Sequence, residues 1–158
     1  MRRADREVTD LNIIYEVIRR CDVLRLGLYD GEYPYIVPVN FGYRFDEDII
    51  LYFHGAKAGK KYELIKKNNK CSFEMDNELM IDLLYDSKSV TTRYESVMGK
   101  GIIRELDNED KIMALNYLMS SYEKTKDFEC GLSESVLDNT AVYELKVSSI
   151  SCKINPVK

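Results

Sequence analysis

Two short stretches carry residue types that could hold a planar anionic ligand. The first is Pro34-Tyr35-Ile36-Val37-Pro38-Val39-Asn40-Phe41. Proline has no N–H for a sheet ladder, so an extended run with two of them has an open side. On that side the peptide groups around Pro38, Val39 and Asn40 need a partner or water. A flat ring with donors and acceptors along one edge would match them. A plain solvated edge strand, kept from aggregating by its prolines, accounts for the same residues. The second stretch is His54-Gly55-Ala56-Lys57-Ala58-Gly59-Lys60-Lys61. Small residues let backbone approach a ligand closely, a helix N-terminus attracts an anion, and Lys57, Lys60 and Lys61 add positive charge. The spacing is not that of a Walker loop, nor is it a G-x-G-x-x-G fingerprint. A lysine-rich solvated helix face is the alternative, since Lys66, Lys67 and Lys70 continue the run.

The elements that must position these stretches follow from periodicity. Leu11, Ile14, Tyr15 and Ile18 recur at helical spacing behind Thr9 or Asp10 as a cap. Leu24, Leu26 and Leu28 alternate as in a half-buried strand, Asp30-Gly31 turns the chain, and Tyr33 to Tyr43 returns as one strand. After a turn at Asp46-Glu47-Asp48, Ile49 to Phe53 reads as a buried strand and Lys57 to Lys67 as a helix with Ala58, Tyr62 and Ile65 on one face. Cys71 to Met75 predicts a strand, and Thr91 to Leu106 a long one with bulges at Gly99 and Gly101. Asp107 and Asp110 open a helix striped by Ile112, Leu115, Met119 and Tyr122. Residues 123–139 read as loop with a helical turn, and Ala141 to Val147 as the last strand. About six mainly antiparallel strands with helices inserted fit a small barrel of a mainly β class better than a doubly wound sheet.

Composition narrows the function classes. The chain has 158 residues, 45% hydrophobic and 32% charged, the size and balance of one globular domain spanning 1–158. Its net charge of −4 gives no global basic balance for nucleic acid. The charged start, Met1 to Glu7, leads into no apolar run, so neither signal peptide nor membrane span is expected, and the expected location is the cytoplasm. Cys21, Cys71, Cys130 and Cys152 are far apart and His54 is the sole histidine, which argues for reduced structural thiols and no metal site.

Together the motifs resemble the pyridoxamine 5′-phosphate oxidase-like FMN-binding split barrels, and within them the nitroimidazole-reductase (resistance) subgroup. The matching stretches are Tyr35-Ile-Val-Pro-Val-Asn-Phe-Gly42, Leu51-Tyr-Phe-His-Gly-Ala-Lys-Ala-Gly-Lys-Lys61 and Tyr94-Glu-Ser-Val-Met-Gly-Lys-Gly101, and the likeness runs from Arg2 to about Lys153. It implies FMN as cofactor, with Pro38, Val39 and Asn40 lining the flavin ring through their backbone. It implies Lys57, Lys60 and Lys61 at the ribityl-phosphate end, and Tyr94, Ser96 and Val97 on a strand that completes the site across a dimer interface. Leu83 to Val90 departs from the subgroup, which often has a cysteine a few residues before the Tyr-x-Ser-Val motif.

The function implied is an FMN-dependent oxidoreductase that takes a hydride from a nicotinamide and reduces a small, nitroaromatic (5-nitroimidazole-like) acceptor, as a homodimer. The flavin would carry the hard chemistry, which explains the lack of a conventional acid–base or nucleophile constellation. His54 is the candidate catalytic residue, facing the flavin pocket as a proton donor near neutral pH; a structural role at the strand end is its alternative. A flavin or haem carrier without turnover is the competing reading for the chain. Pyridoxamine-phosphate oxidation itself is disfavoured, because only Arg93 and Arg104 stand near the late strand to hold a second phosphate.

Overall fold

Ile49 to Phe53 are five buried residues in a row because their strand is covered on both faces. Leu51 and Phe53 point into the main core, whereas Ile50 and Tyr52 face a second cluster beneath a helix. In the computed structural model, which describes residues 3–85, 87–122 and 134–155, a 3-10 turn (Ala4–Arg6) leads to β1 (Glu7–Val8) and α1 (Leu11–Arg20). Strands β2 (Leu24–Tyr29), β3 (Pro34–Val39), β4 (Phe41–Phe45) and β5 (Ile49–Ala56) follow, then α2 (Lys60–Lys67). The long strands β6 (Lys70–Leu84) and β7 (Ser89–Leu106) precede α3 (Asn108–Tyr122), α4 (Glu134–Asn139) and β8 (Thr140–Asn155).

All strand pairs are antiparallel, in the order β3-β2-β6-β7-β8-β5-β4, with β1 added to β8. The edge strands β3 and β4 are separated in sequence by Asn40 alone. The two edges of the sheet therefore meet at Asn40, which curls the sheet into a barrel split along that seam. The mainly β, split-barrel class expected from the sequence is the observed one.

Asp10 caps α1, its carboxylate accepting from the Asn12 N–H at 2.9 Å. Ile14, Val17 and Ile18 of this helix enter the main core with Leu24, Leu26, Leu28, Phe73 and Met75. The α2 helix contributes Leu64 and Ile65 to the same core, and α3 lays Ala114, Leu115 and Leu118 over Tyr52 and Val142. Cys21, Cys71 and Cys152 are buried, and burial pushes their thiols up to about 12, 12 and 11, the state of inert structural cysteines. Cys130 lies outside the described residues.

The structure corrects several sequence expectations. Tyr33 to Tyr43 is two strands, because β3 and β4 pair with different neighbours on either side of Asn40. The helix expected from Lys57 starts at Lys60, after Gly59 takes a φ of 88° that β-carbon-bearing residues avoid. Cys71 to Met75 is only the first third of β6, which runs on with β7 as a hairpin. The α3 stripe is rotated: Leu115 of the expected residues is buried, Ile112 is exposed, and Ala114 and Leu118 join Leu115 in the core. A bulge between Lys100 and Gly101 is present against β8. The last strand is twice the expected length, and 123–133 of the expected loop lies outside the described residues, with α4 supplying the helical turn.

Candidate functional site

The seam at Asn40 brings the two singled-out stretches together. Phe41 pairs with Phe53, so one step back along both strands Asn40 stands level with His54. Strand alternation puts both on the outer surface, with Gly42 and Tyr52 on the same face and Phe41 and Phe53 turned inward. Pro38 is exposed and Val39 buried on β3, which pairs with β2 alone. Neither Pro34 nor Pro38 can supply a ladder N–H, which suits a strand with one free side.

One residue that fixes the seam was not legible as such. Phe41 donates its backbone N–H to the Tyr122 hydroxyl at 3.2 Å, and that hydroxyl donates to the Asp22 carbonyl at 2.9 Å. Tyr122, at the end of α3, thus ties the chain immediately after Asn40 to the start of β2. Its place on an apolar stripe gave no hint of this, because the role belongs to its hydroxyl and a backbone group 81 residues away.

His54 lies near the end of β5, two residues before Ala56, and pairs with Val142. Its side chain is exposed by area, yet partial burial and then the nearby Lys61 ammonium hold its pKa below the usual imidazole value. The ring is accordingly neutral at pH 7, with one N–H to give and one lone pair to accept. Lys61 donates to the His54 carbonyl at 3.0 Å and lies 5.8 Å from the Phe53 ring centroid; burial lowers its pKa too. A β-carbon on Gly55 would stand 2.5 Å from the Lys61 Nζ, so the glycine leaves room for this fold-back.

The three lysines do not converge. Lys60 is ion-paired with Asp30 and lies 5.3 Å from the Tyr35 ring centroid, facing the β2–β3 turn. Lys57 precedes α2 and lines a groove with Lys66, Glu105 and Lys111 at the foot of α3. The anion-seeking feature that remains is the α2 N-terminus. Gly59 offers no side chain to cap it, and the first intrahelical bond is Glu63 N–H to the Gly59 carbonyl at 3.1 Å. The N–H groups of Lys60, Lys61 and Tyr62 are the ones such a turn leaves for an acceptor.

Tyr94, Ser96 and Val97 lie elsewhere on the same chain. Val97 is fully buried in the core, opposite Met75 and Cys152. Tyr94 accepts from the Arg6 guanidinium at 3.4 Å, and Ser96 pairs with Asp76 and Lys153. The cross-sheet row next to Ser96 runs Pro38–Arg25–Glu74–Met98, which sets this part of β7 about 14 Å, three strand spacings, from β3. Among the described residues no hydrogen bond, ion pair or ring contact joins Tyr94, Ser96 or Val97 to the seam.

A family model described as pyridoxamine 5′-phosphate oxidase matches residues 10–154. Among solved structures, a candidate 5-nitroimidazole antibiotic resistance protein from Bacteroides thetaiotaomicron is 30% identical, with 94% of this chain and 86% of that one covered and a TM-score of 0.81. A flavocytochrome from Azotobacter vinelandii is 16% identical over 99% of this chain and 72% of that one, with a TM-score of 0.79. The FAD- and haem-binding protein of Mycobacterium smegmatis is 15% identical over 96% and 74%, with a TM-score of 0.81. At those two identities the likeness is one of fold. No curated protein sequence matches the chain. Among the described residues no helix is long and apolar enough to cross a membrane.

Proposed function

The chain belongs to the pyridoxamine 5′-phosphate oxidase family, and on that premise we propose that it is a cytoplasmic FMN-dependent oxidoreductase acting on a small nitroaromatic acceptor of the 5-nitroimidazole type. The observation that carries this is the meeting, at one seam, of an open strand edge (Pro38 to Asn40), a neutral imidazole (His54) and an uncapped helix N-terminus (Gly59 to Lys61). Those residues fit FMN: the strand edge suits the polar rim of a ring, and the helix end suits a single phosphate. Bound FMN would supply two-electron redox chemistry, with a nicotinamide as hydride source. The protein's part is to position and to manage protons. The backbone of β3 fixes the ring edge, the N–H groups of α2 and the Lys61 ammonium hold the anionic end, and neutral His54 gives or accepts a hydrogen bond at the outer mouth.

Tyr94 and Ser96, on the outer face of β7, enter this reading from a second copy of the chain, with Val97, turned into its own core, contributing main chain only. That makes the working unit a homodimer of single-domain subunits. The Bacteroides neighbour's association with 5-nitroimidazole antibiotic resistance supports the acceptor class. The experiment is an absorption spectrum of the purified protein with and without added FMN, FAD and haem. It is followed by anaerobic assay of nicotinamide oxidation with a 5-nitroimidazole. Flavin bands, tighter binding of FMN than FAD, and acceptor-dependent turnover are expected. A Soret band without flavin absorbance would overturn the cofactor, and flavin binding with no turnover on any nitroaromatic would leave a carrier instead of an enzyme.

A further inference from the structure

Beyond Glu74 and before Tyr94 no third strand pairs with the long hairpin among the described residues. The β2 ladder on β6 ends at Glu74 and the β8 ladder on β7 begins at Tyr94, so among the described residues past Asn77 the two strands pair only with each other. They are tied at their base by the Asn155 amide, which donates to the Thr91 hydroxyl at 3.1 Å and to the Thr92 carbonyl. An isolated two-stranded ribbon is at best marginally stable in water. This one also exposes a row of large apolar side chains: Leu79 at 74%, Ile81 at 72%, Leu83 at 61%, Tyr85 at 82% and Val90 at 62%.

The register shows why they share a side. The shift between Asn77 and Met80 adds one residue to β6, which reverses its alternation. Ile81 and Leu83 thereby join Thr92 and Val90 on one face, continuous with the outward Tyr94, Ser96 and Met98. The opposite face carries the Arg93–Asp82 ion pair at 2.7 Å, Met80 beside it, and Thr91, whose hydroxyl accepts from the Asn155 amide. Farther along the same outer surface lies a groove of about 780 Å³, lined among others by Gly27, Tyr29, Pro34, Ser72 and Ile102 and rimmed by Lys70 and Lys100. Gly27 and Ser72 pair across its floor, where the lack of large side chains makes the depression.

We propose that this arm seats in the outer-face groove of a second copy of the chain, each subunit giving its arm and receiving the other's. The inference rests on the two-copy reading above. Its geometric basis is that Val90 on the arm and Ile102 in the groove stand six residues either side of Ser96 on one strand. A two-fold axis through the face near Ser96 carries one onto the other, as a self-complementary dimer requires. The arm cannot fill its own groove, because twelve strand residues hold Val90 and Ile102 about 40 Å apart. A large apolar side chain carries roughly 60–120 Å² of surface that burial removes from water. Five of them, mostly exposed and covered reciprocally in both subunits, therefore bury about 800–1,700 Å², within reach of a standard stable interface. The groove's Tyr29 and Pro34 flank the turn whose Asp30 holds Lys60, so a docked arm also walls the anion end of the seam with residues of the partner.

The test combines cross-linking with sedimentation. In a Cys130→Ser background, Val90→Cys and Ile102→Cys single variants are mixed and treated with a short bis-maleimide. The mixture is expected to give a covalent dimer, and neither single variant alone. Leu83→Glu with Val90→Glu should convert the parent dimer into a folded monomer, seen by sedimentation and circular dichroism. A parent dimer that neither cross-links in the mixture nor dissociates on the double substitution overturns the arm while leaving the two-copy reading intact. Cross-linking within a single variant overturns the register. A parent that sediments as a monomer with FMN bound overturns both.

Discussion

The Lys61 ammonium folds back seven residues to donate to the His54 carbonyl at 3.0 Å. The contact places a fixed positive charge beside the only imidazole in the chain, whose pKa is lowered first by burial and then by that charge. The consequence for mechanism is that His54 works as a neutral hydrogen-bonding group at pH 7, not as a resident imidazolium.

A sole histidine makes this directly measurable. Its ring protons should titrate below the ordinary value of about 6.5, and Lys61→Met should bring the midpoint upward. Because the folded-state pKa lies below the unfolded one, the unfolded chain binds the proton more readily. The stability this group contributes is present above about pH 6.5 and is lost as pH falls through that value toward the folded pKa. Denaturation midpoints of the parent should therefore drop on going from pH 7 to 5 by more than those of His54→Gln. An NMR midpoint at or above the ordinary value in the parent would remove the basis for a neutral His54.

A second prediction concerns how α3 holds the seam. A β-carbon built on Gly42 would lie 2.6 Å from the Leu118 nitrogen and from the Tyr117 carbonyl atoms. These are backbone atoms, so the helix must move as a body to make room. Gly42→Ala should cost about 1–3 kcal/mol, the usual range for overpacking, read as a lower urea midpoint with unchanged m-value. It should also weaken the Tyr122 latch on Phe41 and so loosen FMN binding. Stability equal to the parent would mean that α3 sits farther from β4 than described.

Much of this was legible in the chain because it was written locally. The α1 cap at Asp10, the buried run Ile49 to Phe53 and the tight turn at Asp30-Gly31 depend on neighbours in sequence, and each was found where expected. The strand break at Asn40 was not legible, since nothing in Val39-Asn40-Phe41 says that successive strands take opposite edges of one sheet. The same holds for the length of β6 and β8, whose outer halves are extended by long-range pairing and not by alternation of their own residues. At the site, residue types were readable but directions were not. Lys57, Lys60 and Lys61 are close in sequence, yet with the helix starting at Lys60 they go three ways, Lys57 to a groove by α3, Lys60 to Asp30 and Lys61 to the His54 carbonyl.

Those directions yield the last prediction, an asymmetry among the lysines. Lys61 is half-buried beside the uncapped start of α2, with donors left over after its bond to the His54 carbonyl, so a phosphate there would meet it at little further cost. Lys60 is exposed and already engaged by Asp30, which raises its pKa by hydrogen bonding, and it must share or leave that partner to serve an anion. Lys61→Ala is therefore expected to weaken FMN by about ten- to a hundredfold, the worth of one charge-assisted hydrogen bond, while riboflavin, which lacks the phosphate, changes little. Lys60→Ala should cost FMN only a few-fold, and Asp30→Asn should tighten FMN by releasing Lys60. Fluorescence titration of the four proteins with both ligands checks all three effects. Equal losses for FMN and riboflavin in Lys61→Ala would assign the lysine to holding His54 in place. A larger loss in Lys60→Ala than in Lys61→Ala would put the phosphate on the Asp30 side of the helix end.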